Sequence, residues 1–402
     1  MKKSIKNITF SDDHIIHKIP QMLGCSNDDI LFIDIETTGL SPRNSDIYMI
    51  GLSYCENNSW RIVQLFAENA AEEAHILKMF AKNFGGHSKI INFNGDRFDL
   101  PFLKSKFDKY KIPNPIEDAD SIDLQKIIRP YQDQLGLIDC KQRTIEMYLG
   151  TTRKNKHDGK GILQVYNSYK KTMARQPLEI LFLHNYEDVK GMFSILQMLL
   201  FLKFFSLFRN MPRTSIKTDE PISLESYVDS EELGDDSMLP VKAKKVQANY
   251  YNDYDGNLKK EIFMKLELPF ALPSSLTGHL DDCYFKTDKD EAILRVPIYE
   301  EELKYFYSHY EDYYYLPKED TAIHKSIASF VDKKYREKAK PENCYTKKSG
   351  QYLREWDLVF TPFFKSDYKD DKIFFDLNAN LKQSRFALSV YASHIIAHIL
   401  EI

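Results

Sequence analysis

The chain has no C-x-x-C pair; its five cysteines, Cys25, Cys55, Cys140, Cys283 and Cys344, stand alone and far apart. An odd count without a framework fits a reducing cytoplasm better than a disulfide-stapled secreted scaffold. Positive charge is not in excess either. The 402 residues carry a net charge of −4 with pI near 6.3, so any nucleic-acid partner must be met by local basic patches. Walker-type phosphate loops, G-x-G-x-x-G and G-x-S-x-G are all missing, which sets aside nucleotide-driven motors, dehydrogenases and esterases. The first residues, MKKSIKNITFSDDHII, are basic but lack the apolar centre of a signal peptide. The greasiest run, Phe193 to Phe208, is broken by Gln197 and Lys203 and falls short of the roughly 20 residues a bilayer needs. It reads as a buried helix, with no membrane partner.

What is present suffices for more than one core: 43% of residues are hydrophobic, and the length suits two domains. From Ile30 to Phe208, strand-like segments come first and then alternate with helix-like ones. ILFIDIE, DIYMIGLSYC, WRIVQLF and KIINFN read as strands. NAAEEAHILKMFAKNF and LEILFLHNYEDVKGMFSILQMLLF read as helices, a further helix starts near Phe98, and SIDLQKIIRPY runs from strand end into helix. This predicts an α/β layered domain over residues 1–208. Residues 209–238 read as an acidic linker, with eight acids and no base between Thr218 and Val241. Residues 239–402, rich in Tyr and Phe, read as a second, α+β domain. Its expected strands are VKAKKVQANYY, KKEIFMKLELPF, CYFKTD, AILRVPIY, DLVFTPFF and KIFFDL. Its expected helices are EELKYFYSHYEDYYY, TAIHKSIASFV behind an Asp320 cap, and FALSVYASHIIAHIL.

Within the first domain, FIDIETTGL sets two carboxylates, Asp34 and Glu36, on one face of a strand, because strand side chains alternate. Ile33 and Ile35 then point to the core. Alone such a pair is commonplace; what distinguishes this one is its place at the end of the most apolar strand, where open α/β sheets bind ligands. A second segment, INFNGDRFDLPFL, turns sharply at Asn94-Gly95 and places Asp99 at a helix start beside Phe98. Asp99 there is equally explained as a dipole partner. A third, LHNYEDVKGMF, puts His184 and Asp188 four apart on one helix face, amid Leu181, Phe182, Leu183, Val189 and Met192. Should Asp34, Glu36, Asp99 and Asp188 converge, they cannot all ionise without cations. Hard oxygen ligands without cysteine suit two ions of Mg²⁺ or Mn²⁺, the arrangement that cleaves phosphodiesters. His184 would position or deprotonate the attacking water. If the four were scattered, or one were locked by an arginine in a dry corner, that reading would fail.

D-x-E in FIDIETTGL, the Asn94–Asp99 segment NGDRFD, and H-x-x-x-D in HNYED resemble, in order and spacing, the three exonuclease motifs of the DEDD superfamily. With SIDLQKIIRP, CKQRTIEMYLG and TTRKNKHDGKGILQVYNSY between them, the stretch from about Asp29 to Leu200 is similar to the YprB-type ribonuclease H-like family. The resemblance implies a ribonuclease H-like mixed sheet flanked by helices. It also implies a 3′–5′ exonuclease on single-stranded DNA or RNA ends, with Asp34 bridging two ions. Glu36 and Asp188 would complete one ion, Asp99 would hold the other through water, and His184 would orient the nucleophile. Thr37, Asn94, Phe98, Arg153 and Lys154 are the substrate-contact candidates. The third motif departs from the pattern, since His184 stands at the spacing of the tyrosine subgroup rather than that of the histidine subgroup.

Two stretches are locally basic. Thr151–Gln176 holds seven Lys/Arg against one Asp and leads into the third motif. Lys333–Arg354 holds eight against two Glu, interleaved with Tyr335, Tyr345 and Tyr352. Both suit a nucleic-acid backbone, and the second equally a solvated surface. His394 and His398 have helical ligand spacing, and with no carboxylate or cysteine expected beside them a packed terminal helix accounts for them. Two other functions stay open: a nucleic-acid-binding module with a relict site, and an adaptor recruiting a protein through the C-terminal half.

Overall fold

The computed structural model describes residues 1–209, 211, 215–222, 239–252 and 256–402. Most of the acidic stretch read as a linker therefore lies outside the described residues. Two compact units are present, Met1–Leu199 and Leu200–Ile402.

Unit 1 is built on six strands: β1 (Lys2–Ile8), β2 (Ile30–Thr37), β3 (Ile47–Glu56), β4 (Ser59–Phe66), β5 (Lys89–Asn92) and β6 (Asp120–Asp123). They form one mixed sheet in the order β1-β4-β3-β2-β5-β6. The pairs β1–β4, β4–β3 and β3–β2 are antiparallel, whereas β2–β5 and β5–β6 are parallel. Around the sheet lie α1 (Ile19–Leu23), α2 (Glu73–Asn83), α3 (Asp99–Tyr110), α4 (Leu124–Ile128), α5 (Gln142–Tyr148), α6 (Gly159–Thr172) and α7 (Arg175–Ile195). One face of the sheet buries Leu31, Ile33, Ile35, Val63 and Ile90 against Ile76, Phe80, Phe102 and Phe107 of α2 and α3. The other receives α7, where Phe193 stacks on Phe32 at 4.1 Å, and α6, where Tyr166 stacks on Tyr48 at 4.0 Å. The α/β architecture expected from the strand-then-alternation pattern is what forms. Strand β1 was not anticipated: it is an edge strand with Lys2, Lys3 and Lys6, whose only strong apolar anchor is Ile8.

The long helix expected through Phe201 ends at Ile195, and α8 (Met198–Arg209) follows after a tight turn. By length and composition, residues 175–209 would suffice to cross a membrane. Buried His184 and Asn185 on α7 face the sheet instead, which is the behaviour of a core helix.

Unit 2 continues with strands β7 (Ile216–Lys217), β8 (Lys242–Asn252), β9 (Leu258–Glu267), β10 (Thr277–Leu280), β11 (Cys283–Asp288), β12 (Glu291–Pro297), β13 (Tyr299–Phe306), β14 (Tyr313–Leu316) and β15 (Thr321–His324). After the short α9 (Lys325–Ala328) come β16 (Glu337–Lys338), β17 (Tyr345–Glu355), β18 (Phe360–Thr361), β19 (Phe363–Phe364) and β20 (Ile373–Asp376), then α10 (Ala379–Gln383) and α11 (Arg385–Ile399). One antiparallel sheet runs β10-β11-β12-β9-β8, a second β13-β17-β20-β19, and a third β15-β14-β16. Helix α11 lies on one face of the first sheet. There the Ser389 hydroxyl accepts from the Ala243 amide at 2.8 Å, and a Cβ on Gly278 would come within 2.4 Å of Ile399.

Two helix expectations are corrected here. EELKYFYSHYEDYYY forms β13 and β14, because eight residues from Tyr299 to Phe306 pair in register with β17, and aromatic side chains suit a pleated surface. TAIHKSIASFV is strand first and only one helical turn after. His324, not Asp320, caps that turn; Asp320 sits in the β14–β15 turn with φ +51° and accepts from Tyr315 and Tyr345.

Candidate active site

Side-chain alternation along β2 directs Asp34 and Glu36 to the α7 side of the sheet, while Ile33 and Ile35 enter the core with α2 and α3. Each carboxylate is held by a buried neighbour. Asn185 of α7 donates to Asp34 Oδ2 at 2.8 Å, and is itself fixed by Gln64 at 3.0 Å. That reach requires Gly51 on β3, opposite Asp34, since a Cβ there would come within 2.4 Å of Asn185 Oδ1. The Tyr48 hydroxyl donates to Glu36 Oε2 at 3.3 Å. Asp99, at the start of α3, accepts from the Ile35 amide at 2.9 Å, so strand β2 and helix α3 are tied at the site.

On α7, the four-residue spacing brings His184 Nε2 within 3.2 Å of Asp188 Oδ2, and it also lies 3.6 Å from Glu36 Oε1. Ligand atoms of Glu36, His184 and Asp188 all lie within 4.8 Å of one another. Nδ1 of His184 is buried without a hydrogen-bond partner. With Nε2 facing carboxylates, the network assigns the ring proton to Nε2.

The electrostatics follow from crowding. Burial, and then Asp188, Asp99 and Glu36, hold the Asp34 carboxyl well above the usual range; burial and Asp188 do the same to Glu36. Burial pushes Asp99 up to about 7, against the opposing pull of the Ile35 amide. Burial lowers the pKa of His184, with Asp188 opposing, so the ring is disposed to stay neutral.

Arg153 is where the structure departs most from expectation. Rather than facing a substrate, its guanidinium is 8% exposed and bonded to Glu146 through Nε and Nη2 and to Asp188 Oδ1 through Nη1. One arginine thus does hold a member of the set. Its charge is matched by Glu146, however, so the site counts five carboxylates against one guanidinium. The Asp188 oxygen turned toward His184 is the one Arg153 does not bind. Repulsion among Asp34, Glu36, Asp99 and Asp188 is therefore still uncompensated within the protein. An all-oxygen acidic pocket with one neutral imidazole fits a hard divalent cation.

The remaining substrate candidates are dispersed. Thr37 donates its hydroxyl to the Gly39 carbonyl at 2.8 Å, and Phe98 packs half-buried beside Phe102. Asn94, at φ +62°, donates its amide to Asp123 Oδ1 at 2.8 Å and lines a cleft of about 260 Å³ with Asp96, Arg97 and Lys126. Lys154 is exposed, and its amide donates to Glu187 at 2.8 Å. Sequence reasoning missed Asn185, Gln64, Asp123 and Glu146. All four stood in segments already quoted: Asn185 beside His184, Glu146 inside CKQRTIEMYLG, Asp123 inside SIDLQKIIRP and Gln64 inside WRIVQLF.

Gly191, one turn beyond Asp188, is a further dependency: a Cβ there would come within 1.8 Å of Glu146 Oε1. Gly191→Ala should displace Glu146, unpair Arg153 and cost roughly 2–4 kcal/mol. The urea midpoint of the variant checks this; an unchanged midpoint would show that the Glu146–Arg153 pair is dispensable.

Comparison with known proteins gives the following. Residues 31–200 match a family described as the RNase_H superfamily. Over 209 residues the chain is 24% identical to the PolC-type DNA polymerase III of Mycoplasma genitalium, which covers 44% of this chain and 14% of that protein. The chain thus spans only about a seventh of that relative. Among solved structures, the family B DNA polymerase of Pyrobaculum calidifontis aligns at TM-score 0.36 and 15% identity, covering 46% of this chain and 26% of that one. An E. coli ExoI–ssDNA complex aligns at TM-score 0.25 and 13% identity, covering 60% and 55%. The mixed sheet flanked by helices and the superfamily match over residues 31–200 together make the N-terminal unit a ribonuclease H-like domain.

Proposed function

We propose that the protein is a divalent-metal-dependent nuclease of the YprB type, acting as a 3′–5′ exonuclease on single-stranded DNA or RNA ends. The observation that carries this reading is the convergence of Asp34, Glu36, Asp99 and Asp188 on one buried, cation-poor pocket. Two Mg²⁺ or Mn²⁺ ions would supply a nucleophilic water and stabilise the leaving oxygen. The residues of the chain do the rest. Asp34, Glu36, Asp99 and Asp188 bind the cations, Asn185 and Tyr48 fix the first two, and His184 orients the attacking water from beside Asp188. The fragmentary likeness to a PolC-type polymerase agrees with nucleic acid as substrate. Five cysteines with no disulfide among them suit a cytoplasmic setting.

The test is Mn²⁺-dependent shortening of 5′-labelled single-stranded DNA and RNA, which should give a ladder receding from the 3′ end. Internal cuts would correct the direction and mode. Binding without any shortening would favour the second reading, a nucleic-acid-binding module with a relict site. One observation speaks for that alternative: Arg153 already occupies one oxygen of Asp188.

A further inference from the structure

The β10-β11-β12-β9-β8 sheet has one face under α11 and one open to solvent. Alternation assigns Ile262, Met264, Leu266, Phe285, Leu294 and Val296 to the covered face, and all are buried. The open face is ordered by the pairing register into cross-strand rows. One row runs Thr277–Lys286–Ile293–Lys265–Lys245; the next runs His279–Tyr284–Arg295–Phe263–Gln247.

In the first row Lys245, Lys265 and Lys286 are exposed, and among the described residues none has an acidic partner. Lys245 and Lys265 stand directly opposite each other, an arrangement that is unfavourable unless an anion lies across it. On its far side the row is bounded by Asp288, Glu291 and Glu267, the last facing Lys242 across the strands and paired with Lys244. On its near side are Tyr284 and Phe263, with Arg295 between them held by buried Glu261 at 3.0 Å. Beyond them the face deepens into a cleft of about 850 Å³ where Tyr251, Tyr284 and Tyr299 stand among charges of both signs, Lys260 and Arg295 with Glu300 and Asp282.

We infer that this open face binds single-stranded nucleic acid running across the strands, with phosphates along the lysine row and bases on the aromatic row. Five strands at about 4.8 Å spacing give a track of roughly 19 Å. A line of unpaired cations beside a line of rings matches a backbone with stackable bases better than it matches an acidic protein surface, which offers no bases. By contrast, half of the eight lysines and arginines in the basic stretch 333–354 are paired with acids: Lys334 with Asp332, Lys347 with Asp320, Lys348 with Asp376 and Arg354 with Asp281. The inference rests on the nuclease reading only for its choice of occupant, and its test needs no cleavage.

Fluorescence anisotropy of labelled oligo(dT) and oligo(U) with the full chain in EDTA measures binding alone. Combined Lys245→Gln, Lys265→Gln and Lys286→Gln should weaken binding tenfold or more and flatten the log–log salt slope by about 2, at about 0.7 per lost contact. Tyr284→Ala should weaken binding several-fold with the slope unchanged. A control of equal charge, Lys333→Gln, Lys334→Gln and Lys340→Gln, should stay within about twofold of wild type, and melting curves verify folding of every variant. The inference is overturned if the two triple variants behave alike, if wild type does not bind, or if polyglutamate displaces the oligonucleotide at equal charge concentration. A failed Mn²⁺ ladder with these binding results intact would remove the nuclease reading and leave the face in place.

Discussion

Asp34→Asn should lower Mn²⁺-dependent nucleotide release by at least about 10²–10³-fold while making the metal-free protein more stable, not less. The two effects share one cause. Burial together with Asp188, Asp99 and Glu36 opposes the ionisation of Asp34. An asparagine keeps the shape and can still bond Asn185, but it has no ionisation for burial and the neighbouring acids to oppose. Each kcal/mol of repulsion removed should raise Tm by roughly 2–4 °C in a domain of this size. The converse pattern, a variant that loses stability and keeps activity, would mean that Asp34 is structural. Should both properties match wild type, the pocket binds no catalytic cation at all. Ordinary core substitutions lose stability and activity together, so opposite signs are a signature a packing defect cannot imitate.

Much of this pocket was legible before any fold was known, because the signals are local. D-x-E on an apolar strand needs only the two-residue period, and H-x-x-x-D only the helical one; both placed their pairs correctly on β2 and α7. What could not be read was anything depending on which segments meet. Arg153 looked like an exposed member of a basic stretch, yet it is buried because Glu146 of α5 comes up beside Asp188. The cap that Asp123 gives α4 is local, to the Gln125 and Lys126 amides, but its tether of Asn94 exists only once β5 and β6 pair. The same limit explains the C-terminal unit. Its tyrosine-rich segments carry charges at helical spacing, and only the register with β17 decides for strand. Lys245, Lys265 and Lys286 lie about twenty residues apart in sequence and become neighbours solely through cross-strand pairing. Composition located charge in stretches 151–176 and 333–354; the structure pairs Arg153, Arg175, Lys334, Lys347, Lys348 and Arg354 with acids and assembles a further row of lysines that composition did not mark.

Stability should depend on pH and divalent metal jointly, and the sign follows from the carboxyls. An acid whose pKa rises on folding binds more protons in the native state, so the native state is favoured at low pH and loses that advantage as pH climbs. For Asp99 the window runs from its ordinary range near 3.8 up to about 7, and Asp34 and Glu36 shift in the same direction. Metal-free protein should therefore melt at a lower temperature at about pH 8 than at about pH 5. Mg²⁺ or Mn²⁺ needs the deprotonated carboxylates, so it competes with protons and should stabilise strongly at the higher pH and little at the lower. At a hundredfold excess over Kd the gain is about 2.7 kcal/mol, or roughly 5–10 °C in Tm. Scanning calorimetry at both pH values, with EDTA and with Mn²⁺, reads this directly for unit 1, and Asp34→Asn should shrink the metal-induced shift. A metal effect that is equal at the two pH values would place the ion somewhere other than among these carboxylates. If Mn²⁺ has no effect at high pH, Arg153 has satisfied the pocket on its own, and the binding-module reading takes precedence.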